Sequence, residues 1–114
     1  MWIFTTSGFV SAVRNNDDRT IIVRSRDRES LIPISKQYQT EIKPTPLADY
    51  PYRLGLSSEN FVDWVSDQAR SIDYPNFKSA VAGYRDRLFA RALGEVWLVM
   101  HRVEDKSARR RLLI

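Results

Sequence analysis

From its second residue the chain alternates. Trp2, Phe4 and Thr6 fall on one side of an extended backbone, Ile3 and Thr5 on the other, which is the period of a strand. Ser7-Gly8 breaks the pattern as a turn, because Gly8 is free to take positive φ. A second strand runs from Phe9 to Arg14, with Phe9, Ser11 and Val13 on one face. The two lie close enough to form a hairpin. Asn15-Asn16-Asp17-Asp18 is a polar turn whose side chains bond their own backbone. Thr20 to Arg26 is a third strand, with Ile21, Val23 and Ser25 facing one way and Ile22, Arg24 and Arg26 the other. Three strands joined by short turns favour an antiparallel meander.

The period then changes. Leu31, Ile34 and Tyr38 fit a short helix capped by Ser30, with Pro33 in the first turn where its missing N–H costs nothing. Pro44, Pro46 and Pro51 make the stretch 41–51 an extended, irregular connection. Tyr52 to Leu56 is a fourth strand. Ser57 or Ser58 caps a helix that reaches about Ile72, with Phe61, Trp64, Val65, Ala69 and Ile72 on one face and Glu59 in the first turn. Pro75 ends that region, and another helix starts near Asn76 or Phe77, with Gly83 as its break. The strongest 3.6-residue pattern is the last, about Asp86 to Val103. There Phe89, Ala92, Leu93, Val96, Trp97, Met100 and Val103 form one stripe. Trp2, Trp64 and Trp97 read as core anchors.

Strands first and helices after predict an α+β fold, a small antiparallel sheet with helices packed on one face. The expected order is β-β-β-α-β-α-α, with a ferredoxin-like arrangement as the specific topology. Residues 1–104 form one domain in this reading, and residues 105–114 a basic C-terminal tail.

Composition narrows the chemistry. The chain has no cysteine, so disulfides, thiolate nucleophiles and Cys-based metal centres are excluded. No apolar run approaches the roughly 20 residues of a membrane helix. Met1 is followed at once by Trp2-Ile3-Phe4 with no basic region, which argues against a signal peptide and for the cytoplasm. The formal charge is +4, yet Lys106, Arg109, Arg110 and Arg111 against Asp105 supply +3 of it. The body is therefore near neutral. Arginines outnumber lysines 14 to 4, and the guanidinium fork suits carboxylate or phosphate pairing.

Catalytic constellations are sparse. His101 has Glu104 and Asp105 at helical spacing but no nucleophile-elbow serine, and a histidine near a helix C-terminus suits the dipole without further purpose. Asp63 and Asp67 stand four apart on the helix face away from Trp64. Such a pair can do acid–base work, but without a third ligand or a phosphate loop it reads as a solvated face. Neither GxGxxG nor GxxxxGK[ST] occurs. No cofactor or metal is expected.

Two binding patterns remain. Asp-Tyr-Pro stands at 49–51 and again at 73–75. Its plain reading is a pair of chain reversals. Its functional reading is two rigid corners offering Tyr50, Tyr52, Arg53 and Tyr74 to a protein partner. Arg24 and Arg26 on one strand face, with Arg14 beside them, Arg28 extending the row and Arg109, Arg110 and Arg111 in the tail, suit a nucleic-acid backbone. Against this, there is no RNP-type aromatic signature.

Together WIFTTSGFVSAV, the acidic turn, the arginine strand, DYPYR, FVDWV and IDYPNFK resemble a family of small bacterial proteins of unassigned function. The resemblance covers roughly residues 2–100, implies one small domain and carries no activity, cofactor or catalytic residue across. The tail after Asp105 departs from it. The expectation is a non-catalytic binding or regulatory protein acting through protein–protein contacts or self-association, Leu112-Leu113-Ile114 being an odd apolar end to leave in water. The alternatives are a nucleic-acid binder and, last, a carboxylate-dependent enzyme.

Overall fold

A computed structural model describes residues 1–105. The described residues separate into two compact units, 1–75 and 76–105.

The first unit is a five-stranded antiparallel sheet with two helices. Its strands are β1 (Trp2–Thr5), β2 (Gly8–Arg14), β3 (Ile21–Ser25), β4 (Lys43–Pro44) and β5 (Tyr52–Leu56), arranged β1-β2-β3-β5-β4. Every neighbouring pair is antiparallel. The meander is as expected. The ferredoxin-like topology is not, because β1, β2 and β3 follow one another across the sheet rather than being interleaved across two βαβ units. One strand and one helix more are present than the expected order holds. The extra strand is β4, two residues long and containing a proline, too little for any periodic pattern to reveal.

Register sorts the side chains. Ala12 faces Val23, which faces Leu54, and Ile21 faces Leu56. With Val10 they make the apolar face. Helix α1 (Ile32–Tyr38) and its approach lay Leu31 and Ile34 on it, and α2 (Ser58–Arg70) lays Trp64, 3% exposed. Phe61 and Val65 pack at its margin. Burial of this set is the main stabilisation of the unit.

Local signals place the helices. The Ser57 hydroxyl accepts from the Asn60 N–H at 3.1 Å, and Glu59 lies in the first turn. Pro33 does fall at the start of α1, but Ser30 is not its cap. The Ser30 hydroxyl instead donates to Asp27 at 2.6 Å and accepts from the Phe9 N–H at 3.1 Å. Ser25 donates to the Phe9 carbonyl at 3.0 Å. The two serines, one at the end of β3 and one beyond it, thus serve Phe9 as a neighbouring strand would.

Gly8 is needed for a different reason from the one its turn suggests. No glycine here has positive φ. A Cβ at Gly8 would stand 2.6 Å from the Ser30 Cβ and 2.8 Å from its Cα. The close approach of Ser30 to β2 leaves no room for a side chain.

The second unit is a helical pair, α3 (Phe77–Tyr84) and α4 (Arg87–Met100), followed by one 3-10 turn, His101–Val103. Asn76 caps α3 by accepting from the Ser79 N–H at 2.9 Å, and Asp86 caps α4 by accepting from Phe89 at 2.7 Å. Gly83 lies inside α3, one residue before its end, rather than breaking it. Val81 and Leu93 are the buried apolar side chains. Lys78 comes from α3 to cover the Trp97 ring, its ammonium 5.2 Å from the centroid. Among the described residues no helix is long and apolar enough to cross a membrane.

Candidate functional site

The face of the sheet away from α1 and α2 carries most of the unusual side chains. Register lines up Trp2, Ser11, Arg24, Arg53 and Lys43 in one row across all five strands. In the next row Phe4 faces Phe9, their rings stacked at 4.6 Å, and Trp2 meets Phe9 edge-on at 6.0 Å. One half of the face is therefore aromatic and the other cationic. Trp2 is 70% exposed, so it does not anchor the core.

Arg24 and Arg53 are direct cross-strand partners, and like charges so placed repel. Asp49 resolves this. Its carboxylate lies 3.2 Å from Arg53 and 3.7 Å from Arg24. Arg24 also donates to the Ser11 hydroxyl at 2.7 Å, and Arg53 to Thr45 at 3.2 Å. Tyr50 is buried, and the guanidiniums of Arg24 and Arg26 lie over its ring at 4.6 and 4.4 Å from the centroid. Arg26 also donates to the Asp49 carbonyl at 2.5 Å. These contacts fasten the segment 45–51 to the sheet. The first Asp-Tyr-Pro is thus a chain reversal held by arginines, and its tyrosine is buried against them.

The other expected contacts are dispersed. Tyr52 lies on the apolar face and packs against the core. Tyr74 lines a groove beside β1 and α2. Of the proposed protein-binding set, Tyr50 and Arg53 both engage the segment 45–51. Arg14 is not beside Arg24: it pairs with Ile21, on the opposite face, and donates to Ser58 at 2.6 Å and to the Arg19 carbonyl at 2.8 Å. The one-residue offset follows from strand alternation. Arg28 is exposed on the connection to α1. Arg109, Arg110 and Arg111, with the rest of the tail after Asp105, lie outside the described residues.

Around Arg53 a cleft of about 230 Å³ runs between the Asn15–Thr20 turn and β4, with Asp18, Lys43 and Thr45 in its wall. Thr20 donates to Asp18 through its hydroxyl at 2.7 Å and its N–H at 3.0 Å. These bonds hold the Asp18 carboxyl below the usual range.

The carboxylates considered for catalysis serve as helix ties. Asp63 accepts from the Tyr38 hydroxyl at 2.7 Å and Asp67 from the Gln37 amide at 3.1 Å, joining α2 to α1. Burial, then the Asp63 hydrogen bond and charge, push the Tyr38 phenol well above its ordinary value. His101 meets Glu104 at 2.9 Å, and its ring stands perpendicular to that of Trp97 with the centroids 4.9 Å apart. Among the described residues no group of three or more metal-ligating side chains forms.

Sequence periodicity predicts the α4 stripe as a core face. Only Leu93 of that stripe is buried; Val96, Trp97, Met100 and Val103 are exposed, Trp97 at 59%. Leu98 and Val99 are exposed beside them. Periodicity identifies an amphipathic face but not what covers it.

Comparison with known proteins adds no relative: no family model, no curated protein and no solved structure matches the chain.

Proposed function

We propose that the chain is a non-catalytic binding module acting through protein–protein contacts, in the cytoplasm. The observation that carries this reading is the exposed apolar run on the second half of α4, from Val96 through Trp97, Leu98, Val99 and Met100 to Val103 beyond it. Contiguous apolar surface of this kind is where soluble proteins meet partners or copies of themselves, and tryptophan and methionine are enriched there. The carboxylates considered for a reaction are engaged in joining helices.

Retention of proteins from a native lysate by the full chain and by Trp97→Asp tests the reading. A partner held by the unaltered chain and lost from the variant is the expected result. So is self-association, seen by sedimentation, that the variant abolishes. A chain that stays monomeric at high concentration and retains nothing refutes it.

Nucleic-acid binding is the second reading, favoured by the row Trp2, Arg24, Arg53 and Lys43 on one face of the sheet. It expects salt-dependent binding of a labelled single-stranded oligonucleotide that weakens in Lys43→Glu. Unchanged anisotropy at low salt removes it.

A further inference from the structure

We propose that the outer edge of β1 and the adjoining side of α2 bind an extended segment of a partner protein, which adds to the sheet as a sixth strand. This goes beyond the protein-binding reading, which the α4 surface carries, by adding a second site and its mode.

Backbone geometry is the first support. The Ala12 N–H donates to the Met1 carbonyl at 2.8 Å, and the Met1 amino group donates to the Ala12 carbonyl at 2.9 Å. In an antiparallel ladder the inward and outward groups alternate. Ile3 and Thr5 therefore bond inward to β2, and the N–H and C=O of Trp2 and Phe4 point away from the sheet. Among the described residues no strand lies on that side.

A groove of about 210 Å³ follows this edge, walled by Ile3, Phe4 and Thr5 and, on α2 and just past it, by Val65, Ala69 and Ile72. The helix contributions recur at four and three residues, one face of one helix. They belong to the expected apolar stripe: Val65 packs at the margin of the core, while Ala69 and Ile72 beyond it are exposed, Ile72 at 60%. Strand addition takes this form: main-chain bonds hold the segment, and alternate side chains enter a groove.

Charge narrows the occupant. No aspartate, glutamate, lysine, arginine or histidine lines the groove. A charged side chain entering it would lose water without gaining a counterion. The segment is therefore uncharged at its centre. Residues level with Ile3 and Thr5 turn under α2 and are aliphatic. Residues level with Trp2 and Phe4 lie on the open face, where aromatic or β-branched side chains pair best with the rings of Trp2, Phe4 and Phe9.

The opposite edge shows what protection looks like. There β4 is only Lys43–Pro44 with Pro46 close by, the short, charged, proline-bearing edge that blocks pairing. The sequence of β1 is WIFT, with neither charge nor proline.

The test pans the full chain against a random octapeptide library and maps the bound peptides by amide hydrogen exchange. Enriched peptides should be uncharged and alternating, and should slow exchange at Trp2 and Phe4. Phe4→Pro removes an outward N–H while sparing the inward ladder, and should weaken binding roughly tenfold or more. Phe4→Ala removes the ring but keeps the N–H and should weaken it less. Ala69→Glu, at an exposed helix position, puts a charge in the groove without touching the strand and should also weaken it at least tenfold.

No enrichment, or binding indifferent to both Phe4→Pro and Ala69→Glu, overturns the proposal. Peptides whose footprint falls on α4 overturn it too, yet leave the binding-module reading standing. Protection of the Trp2 and Phe4 amides in the free chain also overturns it. Protection that grows with concentration means a second copy fills the edge; protection independent of concentration means the chain fills its own.

Discussion

One margin of the sheet is Lys43-Pro44; the other is Trp2-Ile3-Phe4-Thr5. The first is short and carries a charge and an imino acid. The second is longer, uncharged and aromatic, and a helix runs alongside it. Both are edges of one sheet and share its solvent, so folding alone does not demand the difference. An edge strand left attractive to other strands is a hazard unless something is meant to use it. The contrast teaches that β4 closes the sheet and β1 leaves it open.

The largest expected effect comes from taking away the wall of the open side. Trp64 is the buried anchor of α2. Trp64→Ala should cost roughly 3–5 kcal/mol, measured by urea unfolding. A loss below about 1 kcal/mol would mean that α2 is held by something else.

Next is the hinge of the open hairpin. Gly8→Ala forces a Cβ against the backbone and side chain of Ser30. Overpacking of this kind should cost about 1–3 kcal/mol. The unfolding midpoint checks it, and an unchanged midpoint would show that Ser30 gives way freely.

Exchanging the protection of the closed edge comes third. Replacing Lys43 and Pro44 together by valine should leave stability within about 0.5 kcal/mol. It should nevertheless lower the concentration at which light scattering rises. Equal solubility of the two proteins would remove the contrast on which the β1 proposal leans.

The smallest effect sharpens the closed side. Asp18 is held low by Thr20, so its contribution is present above the unfolded pKa and is lost as pH falls through the folded one. Thr20→Val removes the hydroxyl bond, and the Asp18 carboxyl should then titrate at a higher pH, followed by its NMR shift. An unmoved titration would assign the depression to the backbone bond alone.

Much of this fold is legible along the chain itself. Alternation sets the two faces of β2 and β3 because a period of two has only two phases, and the Ser57 and Asp86 caps follow from local chemistry. What is not legible is tertiary. Nothing near Arg14 in sequence says that register sends it to the face opposite Arg24. Nothing near Asp49 says that its carboxylate will neutralise a facing pair of arginines. The stripe on α4 is readable as a stripe, but its exposure depends on neighbours that no local pattern encodes. Of the open groove, the α2 half is visible in Val65, Ala69 and Ile72; that β1 lies beside it is not.

Ser30 acts on a hairpin that precedes it by 21 residues, reckoned from Phe9. Neither Thr6 nor Ser7 has the positive φ of the tight turns that dictate strand alignment by themselves. If β2 slid by one position, Ser7 or Phe9 would arrive where only an atom-poor residue fits. The late-coming serine thus discriminates among alignments of the first two strands.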